Sequence, residues 1–178
     1  MTLWVFGYGS LLWDPGFEPA ETRKAQLQGY HRSFCMLSIH YRGTEEQPGL
    51  VLALDEDEGA VCDGVAFRVK PEEETTVLDA LRKRELISDA YLEAMVDVVD
   101  EGGDALNAVT YVINRDNRQY CGHALEEQAQ RIIGATGVRG PNRDYLFNTV
   151  AKMRTLGIHD PDLEWLFDRV QALAAKTD

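Results

Sequence analysis

The sequence predicts an α+β protein, built as a small mixed β-barrel or curled sheet with flanking helices. Strand-like apolar segments dominate the first part of the chain, and helical patterns dominate the second. Turn-forming glycines such as Gly43, Gly59 and the pair Gly102-Gly103 separate the strand-like segments. Strands and helices that are grouped in this way favour an α+β fold over alternating βαβ units.

Six strands are expected, each a short run of apolar and β-branched residues bounded by turn residues. The first runs directly into two glycines, and the last two flank the Gly102-Gly103 turn. The predicted strands cover residues 3–8, 25–37, 50–54, 62–69, 91–99 and 108–113.

Four helices are expected, at residues 71–84, 125–133, 143–156 and 161–174. Pro71 and Pro161 suit the first position of a helix, where the missing N–H has no intrahelical acceptor to lose. Asp160 is a suitable N-cap for the last helix. Asn142 is predicted to cap the third helix by accepting a backbone N–H through its side chain.

Composition limits the possible functions. A chain of 178 residues that is 44% hydrophobic and has no low-complexity linker predicts a single domain over residues 1–178. A formal net charge of −12 argues against general binding to nucleic acid or to anionic membranes, since both require a basic surface. The acidic runs at residues 55–58 and 72–74 are expected to be solvated turns or a helix start.

The three cysteines, Cys35, Cys62 and Cys121, are far apart and form no CxxC motif, so neither a zinc site nor a disulfide framework is predicted. An odd number of cysteines suits a reducing cytoplasm. The start of the chain lacks a basic segment before a long apolar run, and no run approaches a membrane span of ~20 apolar residues. We therefore expect a cytoplasmic protein. The four histidines show no metal-ligand spacing, so no metal is expected.

The segment Val5-Phe6-Gly7-Tyr8-Gly9-Ser10-Leu11 contains an apolar strand that ends in Gly-x-Gly. Glycine can adopt a positive φ and has no Cβ to block a ligand, so such a turn can direct several N–H groups toward an anion. The dinucleotide-binding and nucleophile-elbow motifs both fail, because their glycines are missing at Leu12 or at Tyr8 and Leu12. A purely structural turn is the alternative.

Glu85 is expected near the C-terminus of the first helix, in the run Leu81-Arg82-Lys83-Arg84-Glu85-Leu86. The partial negative charge of the last carbonyl groups raises the pKa of a carboxyl group there, and burial would act in the same direction. A carboxyl group with such a pKa is suited to general acid–base catalysis. The alternative is an exposed glutamate paired with Arg82 or Lys83.

Arg42 precedes a glycine, Gly43, at the exit of a predicted strand. Its forked donors could bind an anionic ligand, or they could neutralise Glu45 or Glu46. Tyr145 lies one turn into the third helix, where it could pack its ring and still direct its hydroxyl inward.

Together these segments resemble the ChaC-like γ-glutamylcyclotransferases, specifically the glutathione-degrading branch. The resemblance covers roughly residues 3–150 and depends on motifs in the family's order. They are Val5-Phe6-Gly7-Tyr8-Gly9-Ser10-Leu11, Gly29-Tyr30-His31-Arg32, Arg42-Gly43-Thr44, Pro48-Gly49-Leu50-Val51-Leu52, Gly64-Val65-Ala66-Phe67, Arg84-Glu85 and Asn142-Arg143-Asp144-Tyr145-Leu146.

The resemblance implies a small mixed β-barrel with flanking helices and cofactor-free conversion of glutathione to 5-oxoproline and Cys-Gly. It implies that Glu85 is the catalytic glutamate, that Tyr8, Gly9, Ser10 and Leu11 hold the γ-glutamyl group, and that Arg42 and Tyr145 line the site. Leu86 and Ile87 depart from the lysine or polar residue that many relatives carry after this glutamate.

Two other functions stay open: a cyclotransferase for other γ-glutamyl amino acids or amines, and a non-catalytic small-molecule binding module of the same fold. The sequence does not fix the oligomeric state. Residues 87–90, between Glu85 and the next strand, are a candidate mobile lid.

Overall fold

The computed structural model describes residues 2–177. Five strands form a closed barrel in the order β1-β3-β2-β4-β5, with an additional pairing between β3 and β5. The strands are β1 (Trp4–Gly7), β2 (Glu21–Ser38), β3 (Gly49–Arg68), β4 (Tyr91–Asp100) and β5 (Ala105–Ile113). The predicted α+β class and the barrel with flanking helices are confirmed.

The four predicted helices are also confirmed, with ends shifted by a few residues: α1 (Glu74–Glu85), α2 (Leu125–Gly134), α3 (Asn142–Leu156) and α4 (Pro161–Thr177). Pro71 begins a 3-10 turn that leads into α1. Asp160 caps α4 as expected, because its Oδ1 accepts the N–H of Leu163 at 3.2 Å. Two short strands, β6 (Thr136–Gly137) and β7 (Gly140–Pro141), form a separate hairpin before α3.

The contacts divide the chain into two compact units. The first contains the residues up to Ser33 together with Ala53–Asn117, and the second contains Phe34–Leu52 and the residues from Arg118 onward. The single-domain organisation stays a prediction.

In the first unit, β1 pairs antiparallel with β3, placing Gly7 opposite Val65, and parallel with β5. The inner face of α1 packs on these strands through Val77 and Leu81, which share a buried cluster with the apolar side chains of β1 and β5. Burial of this apolar face fixes the position of α1 on these strands, and therefore the position of its last residue, Glu85.

The second unit contains α2, α3, α4 and the β6–β7 hairpin. Its helices bury an apolar core between them, and the rings of Phe147 on α3 and Phe167 on α4 meet edge to face at 5.0 Å. Buried side chains of these helices include Ile132, Leu146, Val150, Leu163, Leu166 and Val170. Within residues 2–177, no helix is long and apolar enough to cross a membrane.

Two sequence-based expectations about residues 50–69 are wrong. The predicted strands at residues 50–54 and 62–69 are parts of one 20-residue strand, β3. Gly59 has a φ of 85° but lies inside this strand. The acidic run at residues 55–58 therefore lies in a strand and not in a turn.

Candidate active site

The glycine turn, residues 8–11, follows β1 and continues into a 3-10 turn at Ser10–Leu12. Gly7 and Gly9 are not among the glycines with positive φ, so left-handed backbone is not the reason for glycine here. The missing Cβ is the reason at Gly7, where a Cβ would lie 3.0 Å from the Phe67 ring and 3.2 Å from the Cβ of Leu11.

Three buried groups fix the backbone of this turn. Arg32, which is buried, donates from Nη1 to the carbonyl oxygens of Tyr8 at 2.8 Å and Asp63 at 2.9 Å. The Tyr8 hydroxyl donates to the carbonyl oxygen of Tyr111 at 2.7 Å. The Leu11 side chain belongs to the core cluster. The turn is therefore preorganised, and the side chains of Tyr8 and Leu11 have structural roles.

The first N–H groups of a helical turn have no intrahelical acceptor. The N–H of Leu12 donates to Gly9, and those of Trp13 and Asp14 donate to Ser10. Among residues 2–177, no hydrogen bond is donated by the N–H of Ser10 or Leu11. These two N–H groups are suited to bind developing negative charge.

Glu85 is the last residue of α1 and therefore lies at the helix C-terminus, near which it was expected. Its side chain is only 13% exposed, and its Oε1 lies 3.2 Å from Nε of Arg84. The alternative of an exposed glutamate paired with Arg82 or Lys83 is wrong. Arg82 forms a two-pronged ion pair with Glu93, at 2.9 Å for each hydrogen bond.

Arg84 connects Glu85 to the glycine turn. Its Nη2 donates to Oγ of Ser10 at 3.1 Å, and its Nη1 donates to the carbonyl oxygen of Asp14 at 2.7 Å. The structure thus brings two sequence-predicted groups, Glu85 and Ser10, to one guanidinium. The contact between Arg84 and Glu85 is not expected from the sequence, because adjacent residues on a helix do not normally face each other.

Tyr111 is a second group near Glu85 that sequence analysis missed. Burial is the main reason why the pKa of Tyr111 is raised above its usual range, and the charges of Glu93 and Glu85 add to the effect. The hydroxyl donates to Oε2 of Glu93 at 3.3 Å. Tyr111 therefore stays protonated at neutral pH. The apolar pattern of β5 identifies Tyr111 as a core residue and gives no signal of this charged neighbourhood.

Arg42 lies in the second compact unit and is buried. Its Nη1 donates to the carbonyl oxygen of Pro141 at 3.2 Å, and its guanidinium carbon lies 5.9 Å from the centre of the Tyr145 ring. Burial lowers the pKa of Arg42, and the charge of Asp144 opposes this shift. Glu45 pairs with Arg118 at 2.8 Å, so Arg42 is not needed to neutralise it.

Tyr145, in the same unit, is 6% exposed, and its ring meets that of Phe34 edge to face at 6.0 Å. Its hydroxyl points inward, as expected, and accepts the N–H of Leu52 at 3.1 Å.

The predicted role of Asn142 is wrong. Pro141 is the N-cap of α3 and makes no side-chain cap bond, while Asn142 is the first helical residue. Its amide instead pairs with the backbone of Leu50, accepting its N–H and donating to its carbonyl oxygen, both at 2.8 Å. Asn142 is a core residue that fixes the start of β3.

The described cysteines Cys35, Cys62 and Cys121 are all free thiols. No group of three or more His, Cys, Asp or Glu side chains that could hold a metal ion occurs in the described part of the chain.

The family model described as ChaC-like protein matches residues 3–173. The chain belongs to the ChaC-like family. This membership confirms the family named from the sequence motifs.

Two relatives align with nearly the whole ChaC-like chain. "Gamma-glutamylcyclotransferase 2-3" of Arabidopsis thaliana is 34% identical, over 100% of this chain and 93% of the relative. "Glutathione-specific gamma-glutamylcyclotransferase" of Escherichia coli is 35% identical, over 98% of this chain and 75% of the relative.

A solved structure shares the fold of the ChaC-like chain. The glutathione-specific γ-glutamyl cyclotransferase from yeast superposes with a TM-score of 0.87 at 23% identity, covering 96% of each chain.

Proposed function

We propose that this chain is a glutathione-specific γ-glutamylcyclotransferase that converts glutathione to 5-oxoproline and Cys-Gly, with Glu85 as general base and acid. The observation that carries the proposal is the sheltered Glu85 carboxylate, joined through Arg84 to Ser10 of the glycine turn. Relatives that are named for this activity, and that align with 98% and 91% of this chain, support the choice of substrate.

The reaction is an internal acyl transfer. The α-amine of the γ-glutamyl group attacks its own γ-carbonyl carbon and closes a five-membered ring, but it must first lose the proton of its ammonium form. Glu85 takes that proton. The old C–N bond to Cys-Gly then breaks, and the proton from Glu85 passes to the departing nitrogen. The second proton of the attacking nitrogen leaves as the ring amide forms, and Cys-Gly ends as an ammonium at neutral pH.

The attack produces a tetrahedral oxyanion. The N–H groups of Ser10 and Leu11 are the donors proposed to stabilise it, because fixed donors aimed at developing charge need no reorganisation during the reaction. Holding the substrate in its folded form supplies much of the remaining advantage, since well-oriented intramolecular reactions reach effective molarities of about 10⁵ M or more. No external nucleophile or redox cofactor is required by this chemistry.

The test is incubation of the purified protein with reduced glutathione, without metal or nucleotide, followed by quantification of 5-oxoproline and Cys-Gly. Equal amounts of the two products are expected. If no γ-glutamyl compound is cyclised, the chain is instead a non-catalytic binding module.

A cyclotransferase for other γ-glutamyl amino acids or amines is the second candidate. The Arabidopsis relative supports it, because its name specifies γ-glutamyl cyclotransfer without glutathione. Turnover of γ-glutamyl-alanine, compared with that of glutathione, separates the two candidates. Glutathione selectivity requires a much higher kcat/KM for glutathione.

The family resemblance alone leads us to propose that Arg42 and Tyr145 bind substrate. The position of residues 87–90, between Glu85 and the next strand, leads us to propose that they form a lid. Ala90, the last residue of this segment, is buried, and its carbonyl oxygen accepts the N–H of Asn114 at 2.8 Å. Hydrogen exchange at residues 87–90 that is slow with or without glutathione would contradict the lid.

We propose a cytoplasmic location because an odd number of cysteines suits a reducing compartment. Because the net charge is −12, we propose no nucleic-acid or membrane partner.

A further inference from the structure

Arg84 contacts two groups of the candidate site, but the proposed reaction assigns it no role. One guanidinium contacts the carboxylate of Glu85 at 3.2 Å, the hydroxyl oxygen of Ser10 at 3.1 Å and the carbonyl oxygen of Asp14 at 2.7 Å. The three contacts come from two distant segments, the end of α1 and the chain that follows β1. A planar group with forked donors is suited to hold several acceptors in a fixed arrangement.

The surroundings of Arg84 restrict its movement. Its side chain is 14% exposed. Gly16 lies beside the guanidinium: its φ is 81°, and a Cβ there would lie 3.7 Å from Nη1 of Arg84. A shift of α1 along its axis would break the hydrogen bonds of Arg84 to Ser10 and Asp14.

The contact with Ser10 also leaves its hydroxyl hydrogen available. Oγ of Ser10 accepts from Nη2 of Arg84, and no hydrogen bond between residues 2–177 uses this hydroxyl as the donor. A hydroxyl that accepts from a cation becomes a stronger donor, because hydrogen bonds in a chain polarise one another.

We propose that Arg84 is a positioning residue that holds the Glu85 carboxylate and the Ser10 hydroxyl at a fixed separation. Glu85 then keeps the geometry needed to remove the ammonium proton, and Ser10 presents its O–H as an additional donor to the substrate. This inference rests on the proposed function, because it assigns Arg84 no chemistry apart from Glu85 and Ser10.

The first test compares Arg84→Ala and Arg84→Lys with Lys83→Ala, which removes a positive charge from the neighbouring exposed position. A 1 Å displacement of a reacting group can cost about 10²-fold, so Arg84→Ala is expected to lower kcat by about 10²-fold. Arg84→Lys keeps the charge but cannot bridge three acceptors, and a loss of about tenfold is expected. KM should change little, and Lys83→Ala should retain wild-type kcat.

The second test is chemical rescue. Guanidinium ion added to Arg84→Ala at millimolar concentration should raise kcat several-fold, while sodium chloride at the same ionic strength should not. A purely structural role would lower the unfolding midpoint without any rescue.

Wild-type kcat in folded Arg84→Lys would overturn the proposal, as would a loss of activity in Arg84→Ala that guanidinium does not restore. If Arg84→Ala does not fold, Arg84→Lys alone decides. Wild-type protein and Glu85→Gln are assayed alongside. An inactive wild type, or an active Glu85→Gln variant, refutes the proposed function and not the positioning role specifically.

Discussion

Asn142 is the first residue of the family motif at the start of α3. Its substitution tests how much its hydrogen bonds to Leu50 stabilise the protein. Its side chain is fully buried, and it makes two hydrogen bonds of 2.8 Å to Leu50, which is also fully buried. The substitution Asn142→Ala removes both bonds and leaves a backbone N–H and a carbonyl group unsatisfied. Each such group costs about 1–3 kcal/mol, so the free energy of unfolding should fall by about 2–6 kcal/mol.

Urea unfolding followed by circular dichroism measures this loss, with Asn107→Ala as the matched control. Asn107 is exposed and donates one surface hydrogen bond of 2.9 Å to Asp97. Its removal should cost no more than about 0.5 kcal/mol. Even the lower limit for Asn142→Ala should reduce Tm by about 4–8 °C in a chain of this size. A loss no larger than that of Asn107→Ala would refute the account of Asn142.

Two other variants and one chemical modification test separate side chains. Tyr145→Phe removes the acceptor of the Leu52 N–H and should lower the free energy of unfolding by about 1–3 kcal/mol, which urea titration measures; wild-type stability would contradict this role. Arg42→Ala should raise KM for glutathione by about tenfold or more if its guanidinium binds a substrate carboxylate, and steady-state kinetics with an unchanged KM would rule this out. Burial raises the pKa of the Cys121 thiol to about 11. Iodoacetamide should therefore alkylate Cys121 in the native protein at pH 8 about 10²-fold more slowly than in urea, and equal rates would contradict it.

Local sequence signals predicted most of the helices and the glycine turn. Asp160 and Pro161 mark the start of α4 because capping and a fixed φ act within one turn. Gly59 is the reason why two strands are predicted in place of β3, since this turn-forming residue with positive φ lies inside the strand. Pairing with neighbouring strands overrides local propensity at such a position, and no local pattern reveals that pairing.

The candidate site shows the same division between local and long-range signals. The place of Glu85 at the end of α1 follows from the helical pattern, which a single sequence contains. The contact of Arg84 with Ser10 depends on how the end of α1 meets a segment 74 residues earlier in the chain. The predicted capping role of Asn142 is wrong for a related reason. Its partner Leu50 lies 92 residues away, and capping is the nearest local explanation for an asparagine there.

Transfer of the proton by the Glu85 carboxylate is the step on which the proposed cyclisation of glutathione depends. The direct measurement is kcat for release of 5-oxoproline by wild-type protein and by Glu85→Gln, with the unfolding midpoints measured in parallel. The amide has nearly the same shape but cannot take the proton. Proton transfer by Glu85 predicts that this substitution lowers kcat by about 10²–10⁴-fold and leaves the midpoint unchanged. Turnover by Glu85→Gln at the wild-type rate would contradict it.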